Sequence, residues 1–204
     1  METATKPTPD RRGTPADWVF VGLGNPGDRY AHTRHNVGAD VVALVADRHG
    51  EKLRSSKQQA FVAELRMREA RVVVAFPQTF MNDSGRAVQL LTRRHGIDDP
   101  ERLVVVHDEL DLPTGRVKLK SGGGLAGHNG LKSIEAHLGT REFRRIRIGV
   151  GKPPGRMAGA DYVLRRPSKA DQTELDIARA TAADAAESIV TDGFDATMNH
   201  VNTR

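Results

Sequence analysis

Short apolar segments in this chain run repeatedly into turns where glycine stands beside asparagine or histidine, and this arrangement limits the folds open to it. Trp18 to Val21 runs into Gly22-Leu23-Gly24-Asn25-Pro26-Gly27, followed by Tyr30 and Thr33-Arg34-His35-Asn36. A second cluster is Phe80-Met81-Asn82-Asp83-Ser84-Gly85, and a third runs from His107-Asp108-Glu109-Leu110-Asp111 through Gly122-Gly123-Gly124 to Gly127-His128-Asn129-Gly130. Glycine lets the backbone take positive φ and approach a ligand closely. Asparagine supplies two donors and an acceptor without charge, and histidine moves a proton near neutral pH. Strands that end in such turns, with helices between them, suit an α/β protein that collects polar groups at strand ends.

Periodicity fills in the elements. Asn36 caps a helix with Val37, Val41, Leu44 and Val45 on one face, stopped by Gly50. Ala60 to Met67 and Arg71 to Phe76 read as a hairpin. Ser84 to Arg94 reads as a helix, with Ser84 as its cap and Val88 and Leu91 inward. Leu103 to Val106 is a fully apolar strand that delivers His107 and Asp108 at its end. Arg116 to Lys120 alternates, with Val117 and Leu119 inward. A helix follows over Leu131 to Leu138, then a strand over Phe143 to Val150 that puts Arg145 and Arg147 on one face. Gly151 to Ala160 reads as a loop, Ser168 to Val190 as the longest helix, and a short helical piece ends the chain. The expected architecture is a single-domain three-layer α/β sandwich, with a mixed central β-sheet flanked by helices. Residues 1–17, proline-bearing and without apolar pattern, read as a disordered tail ahead of a domain over 18–204.

With 204 residues, a substantial core is available to one domain. The absence of cysteine removes disulfides, thiolate ligands and cysteine nucleophiles together. No apolar run near the N-terminus reads as a secretory signal, and none is long enough to span a bilayer, so a cytoplasmic protein is expected. The net charge of +5 is unevenly placed. Leu112 to Arg166 carries twelve basic residues against Glu135, Glu142 and Asp161, a local surplus of nine, which is what a polyanion-binding face looks like. Aromatic residues make up only 4%, which favours phosphate contact over extended base stacking.

Three other chemistries compete. Gly22-x-Gly24-x-x-Gly27 matches a dinucleotide fingerprint, but that motif needs a helix opening at the turn, and helical pattern begins only near Val37. A metal site could draw on His35, His107, Asp108 and His128. No histidine pair has one-turn spacing with a carboxylate, however, and the neighbours His107 and Asp108 point to opposite faces of a strand. The Gly-x-Ser-x-Gly elbow of serine hydrolases is missing. What remains is a histidine base with a carboxylate orienter and water as nucleophile. The carboxylate fixes the imidazole tautomer and stabilises its cation, while amides at converging turns donate to a developing oxyanion.

Six motifs, in order, resemble the bacterial peptidyl-tRNA hydrolase family: Gly22 to Gly38 (GLGNPGxxYxxTRHNxG), Gln78 to Gly85 (QTFMNxSG), His107 to Pro113 (HDELDLP), Lys118 to Gly124 (KxKxGGG), Gly127 to Leu131 (GHNGL) and Arg145 to Gly151 (RxRIGVG). The resemblance implies hydrolysis of the ester between a peptide and the 3′ ribose of tRNA, recycling tRNA dropped by stalled ribosomes. It implies that His35 activates water and Asp108 orients it, and that Asn25 separates N-blocked from free aminoacyl groups. It further implies that Tyr30, Phe80, Asn82 and Asn129 contact the substrate end, with Asn82 and Asn129 holding the peptide backbone or the reacting carbonyl. Met81 and His128 would line the same cleft, and Lys118, Lys120 and Arg147 would contact tRNA phosphates. A monomer with no metal, no organic cofactor and no obligate protein partner is implied as well. A second reading is a non-catalytic RNA-binding protein on the same scaffold; the His35–Asp108 pair, useless to a pure binder, weighs against it.

Overall fold

A computed structural model describes residues 15–203 of the chain. Seven strands form one sheet in the order β2-β3-β4-β1-β5-β7-β6. They are β1 (Trp18–Gly22), β2 (Arg54–Ser55), β3 (Ala60–Met67), β4 (Ala70–Pro77), β5 (Leu103–Glu109), β6 (Val117–Ser121) and β7 (Arg144–Gly149). The central strands β4, β1, β5 and β7 are parallel, and the flanking pairings β2–β3, β3–β4 and β6–β7 are antiparallel. The sheet is mixed, as expected.

Alternation along the strands builds the two outer layers. Phe20, Val104 and Val106 face the layer of α1 (Val37–Arg48), α5 (Lys169–Asp192) and α6 (Phe194–Asn202). Val19, Val21, Leu103 and Val105 face α2 (Ser84–Arg94) and α3 (Asn129–Leu138), through Val88, Leu91, Leu131 and Ile134. Successive side chains of a strand point to opposite faces, so a run such as Leu103–Val106 is buried on both. On α1 the Val41, Val42 and Val45 side chains are buried, each contributing roughly 1.5–3 kcal/mol over exposure.

The helix comes unusually close to the strands at two glycines. A Cβ on Gly22 would lie 2.1 Å from the Gly38 carbonyl oxygen, and one on Gly38 would lie 2.1 Å from that of Val106. Backbone therefore rests on backbone, and α1 starts directly behind the strand ends.

Several local expectations need correction. Asn36 precedes α1 but makes no capping bond; its amide is committed to Asn25. Ser84 is not a cap either, because its hydroxyl donates to the Met81 carbonyl at 2.8 Å and closes the 3-10 turn Met81–Asp83. The first turn of α2 is served across the layer instead, Gly85 N–H donating to Ser133 Oγ of α3 at 2.9 Å. Helix α3 begins two residues before Leu131, because His128 acts as its cap. The loop assigned to Gly151–Ala160 runs into a short helix, α4 (Gly159–Val163).

Of the proposed tail, residues 1–14 lie outside the described residues. Pro15–Asp17 do not behave as tail: Ala16 is buried, its N–H reaches the His95 carbonyl, and Arg102 donates to the Ala16 and Asp17 carbonyls. Among the described residues no helix is long and apolar enough to cross a membrane.

Candidate active site

Residues of all three clusters meet at the C-terminal ends of β1, β4 and β5, where parallel sheets usually place their ligands, while Gly122-Gly123-Gly124 stay beyond β6 beside the start of β7. Asn25, just beyond β1, is locked by Asn36. The Asn25 N–H donates to Asn36 Oδ1, and Asn36 Nδ2 donates to the Asn25 carbonyl, both at 2.9 Å. The Asn25 side-chain oxygen accepts from Met81 N–H at 2.8 Å. Its Nδ2 group is therefore left as the donor that Asn25, a cleft-lining residue, can offer a ligand.

Asp108 holds two imidazoles. His35 Nδ1 lies 2.9 and 3.0 Å from the two carboxylate oxygens, and His128 Nε2 lies 2.9 Å from Oδ1. His128 Nδ1 accepts from the Gly130 and Leu131 N–H groups at 3.1 and 3.4 Å, so its ring proton must sit on Nε2 and donate to Asp108. His35 in turn donates from Nδ1, which leaves its Nε2 lone pair for another proton. Burial disfavours the His35 cation, but the Asp108 charge and hydrogen bond outweigh it, and the net moves His35 above the usual imidazole value. Burial alone would push the Asp108 carboxyl up; the adjacent His35 and His128 reverse this and hold it far below the usual carboxylate range. His107 faces away, its Nδ1 donating to the Asp108 carbonyl at 2.7 Å. Burial, followed by the neighbouring His128, lowers it to about 3, so it stays neutral.

These groups line a cleft of about 490 Å³ that includes Asn25, His35, Met81, Asp108 and His128. Asn82 and Asn129 line it from exposed positions, and Phe80, 58% exposed, stands at its edge with Tyr30 edge-on at 6.5 Å between ring centres. The sequence motifs are thus brought together, while His107 is left out.

The proposed phosphate contacts are less uniform. Lys118 and Lys120 lie on the partly exposed face of β6 and pair with no carboxylate among the described residues. Arg147, opposite Lys118 in the register, directs Nε and Nη2 at Glu109 Oε2, each at 3.2 Å. Arg145, read as its surface neighbour, is 1% exposed and donates to the carbonyls of Gly122, Gly123 and Gly124. Arg141 and Arg144 are paired with Glu135 and Glu101. The basic surplus of this segment is therefore partly consumed inside the molecule. Glu109, buried and on the cleft wall, was missed, as was the bridging position of His128. Both sit in quoted motifs, but neither role has a spacing signature.

His35, Asp108 and His128 are also the set that could hold a metal ion, their ligand atoms lying within 4.8 Å of one another. Tertiary structure thus gathers what sequence spacing did not. The hydrogen bonds oppose that use. The one lone pair of the His128 ring is spent on backbone N–H groups, and the nitrogen facing Asp108 carries a proton.

Comparisons with known proteins place this geometry. The family described as Peptidyl-tRNA hydrolase matches residues 19–204. A peptidyl-tRNA hydrolase of Frankia alni is 50% identical over 182 residues, covering 89% of this chain and 92% of the relative. One from Chloroflexus aggregans is 46% identical, covering 91% and 98%. The crystal structure of peptidyl-tRNA hydrolase from Acinetobacter baumannii superposes with a TM-score of 0.86 at 35% identity, covering 93% of this chain and 97% of that one. Similarity in sequence and in three dimensions thus leads to one assignment: the chain belongs to the peptidyl-tRNA hydrolase family.

Proposed function

We propose that the protein hydrolyses the ester linking a peptide, or an N-acylated amino acid, to the 3′ ribose of tRNA. The observation that carries this reading is Asp108 bridging His35 and His128 inside a cleft whose other polar wall is made of asparagine amides.

His35 Nε2 takes a proton from water as the water oxygen attacks the ester carbonyl. Asp108 stays ionised, keeps the proton of Nδ1 in place and stabilises the imidazolium. The carbonyl oxygen becomes an oxyanion, to which Asn25 Nδ2 and Asn129 donate. When the tetrahedral intermediate collapses, the bond to the ribose oxygen breaks and Nε2 returns the proton to that oxygen. The products are a free carboxylate and a tRNA 3′-hydroxyl. The N-acyl requirement has a physical reason: Asn25 offers a donor, which suits the carbonyl of a blocked amine and repels a free ammonium. Tyr30 and Phe80 pack on the terminal nucleoside, Asn82 holds the peptide backbone, and Lys118 and Lys120 take the phosphates.

The test compares release of the acyl group from N-acetyl-aminoacyl-tRNA with release from the unblocked ester. Selective turnover of the blocked ester, insensitive to a chelator, is expected. Tight binding without turnover would make the protein an RNA binder, and loss of turnover with a chelator would move His35, Asp108 and His128 to a metal.

A further inference from the structure

We propose that α4 and Leu110 form an apolar side-chain subsite of the cleft, held in place by Arg34, and that it selects peptides with an apolar residue at one of the two positions nearest the ester. The inference rests on the hydrolase reading above and names the peptides that site prefers.

Leu110 follows Asp108 by two positions, in the turn immediately beyond the end of β5. It lines the cleft next to Ala160, Val163 and Leu164 of the α4 segment. Leu164 is a large apolar side chain left 41% exposed. The wall is continuous with the dyad, so a substrate whose carbonyl reaches His35 has its adjoining side chains beside it. A charged side chain finds no free partner there. The Asp108 carboxylate is held by two histidines, and that of Glu109 by Arg147 and the Asp111 N–H. The space is also finite, since a Cβ on Gly159 would already lie 2.9 Å from Leu110 Cδ1.

The mechanism does not use Arg34, although it precedes His35 and is only 6% exposed. Its guanidinium donates to the Arg165 and Arg166 carbonyls at 3.3 and 3.1 Å and to Asp171 at 2.9 Å. It also stacks 4.2 Å over the ring of Tyr162, whose hydroxyl donates to the Val150 carbonyl. Arg34 thus ties the C-terminal side of the α4 segment to the turn that carries His35. It is a positioning residue: the wall stays at a fixed distance from the base because one buried fork joins them. Lysine keeps the charge but not the fork.

The experiment measures kcat/KM for N-acetyl-Gly-Gly-, N-acetyl-Gly-Leu- and N-acetyl-Leu-Gly-tRNA, all on one tRNA. At least one of the two leucine-containing esters is expected to exceed the diglycyl ester by roughly tenfold or more, the usual worth of filling an apolar pocket, and which one does so assigns the position. Leu164→Ser, at a partly exposed site, and Arg34→Lys each reduce that ratio at least threefold, with KM for the leucine-containing ester rising more than for the diglycyl one. Equal turnover of all three by the unsubstituted protein, or an unchanged ratio in either variant, overturns the subsite and leaves the hydrolase reading standing. No turnover of any of them overturns both.

Discussion

Asp108→Asn is the substitution whose outcome follows most closely from the geometry. His128 presents a fixed Nε2–H to Oδ1 at 2.9 Å, because its other nitrogen accepts from Gly130 and Leu131. An asparagine must therefore keep its oxygen at the Oδ1 position. Its NH₂ group then occupies the Oδ2 position, 3.0 Å from His35 Nδ1. The retained oxygen, also 2.9 Å from His35 Nδ1, is shared with His128, so the new NH₂ group opposes the Nδ1–H and favours the tautomer with the proton on Nε2 and Nδ1 as acceptor. A base with its proton on Nε2 cannot take one from water. The loss in kcat should be about 10⁴-fold, the size found for a wrong-tautomer base in a histidine–aspartate pair, or about 5 kcal/mol of barrier. Circular dichroism should show the variant folded, since the side chain is nearly isosteric, and the assay is single-turnover release from N-acetyl-aminoacyl-tRNA. Activity within tenfold of the parent would refute the tautomer argument, and with it the role given to Asp108.

Four further outcomes are expected. Asn25→Asp keeps the acceptor for Met81 N–H but replaces the donor by a second oxygen, and should cost roughly 3 kcal/mol of transition-state stabilisation, read as a fall of ~10²–10³ in kcat; a change confined to KM would make Asn25 a binding group only. Lys120→Ala should reduce the magnitude of the log K against log salt slope for tRNA binding by about 1. Arg147→Ala should instead destabilise the fold in a denaturant titration, on the order of 3 kcal/mol, because buried Glu109 loses its partner; the reverse pattern would exchange the two roles. His107 is held neutral down to about pH 3, against 6.5 unfolded, so the unfolded chain binds the extra proton and stability is lost as pH falls between those values. His107→Gln should flatten that dependence by up to ~1.4 kcal/mol per pH unit between pH 6 and 4.5, where Asp108 is still ionised in both states; an unchanged slope would put the acid sensitivity elsewhere.

Much of the fold could be read from the sequence because its signals are local. Val41 and Val45 on one side of α1, the alternation of Val117 with Leu119, and the strand-to-turn junction at Gly22 each need only neighbouring residues. Where residues serve distant partners, local rules misled. Asn36 and Ser84 have the right types and places for helix caps, yet one amide is worth more bridging Asn25 and one hydroxyl closes a 3-10 turn. His128 had no visible claim to cap α3, because a histidine does so only with its proton on the other nitrogen, and here Asp108, twenty residues away, holds it there. Arg145 and Arg147 looked like surface charge because alternation reports a shared face and not what covers it. The Glu109–Arg147 pair depends on β5 lying beside β7, a neighbour relation that no periodicity encodes. The polar motifs and the joining of His35 to Asp108 were legible, but the Asn25–Asn36, His128–Asp108 and Glu109–Arg147 contacts were not.

The central claim is that His35, with its proton-accepting nitrogen open to water and its other nitrogen on Asp108, is the base that cleaves the ester. The pH dependence of kcat/KM on N-acetyl-aminoacyl-tRNA tests it most directly, because that profile reports the ionisation of the base in the free enzyme. Since the net effect of burial and Asp108 raises His35, and only its neutral form can take a proton, activity should rise with pH through one ionisation with its midpoint above 6.5. A midpoint below 6.5, or a profile flat from pH 5 to 8, would contradict it.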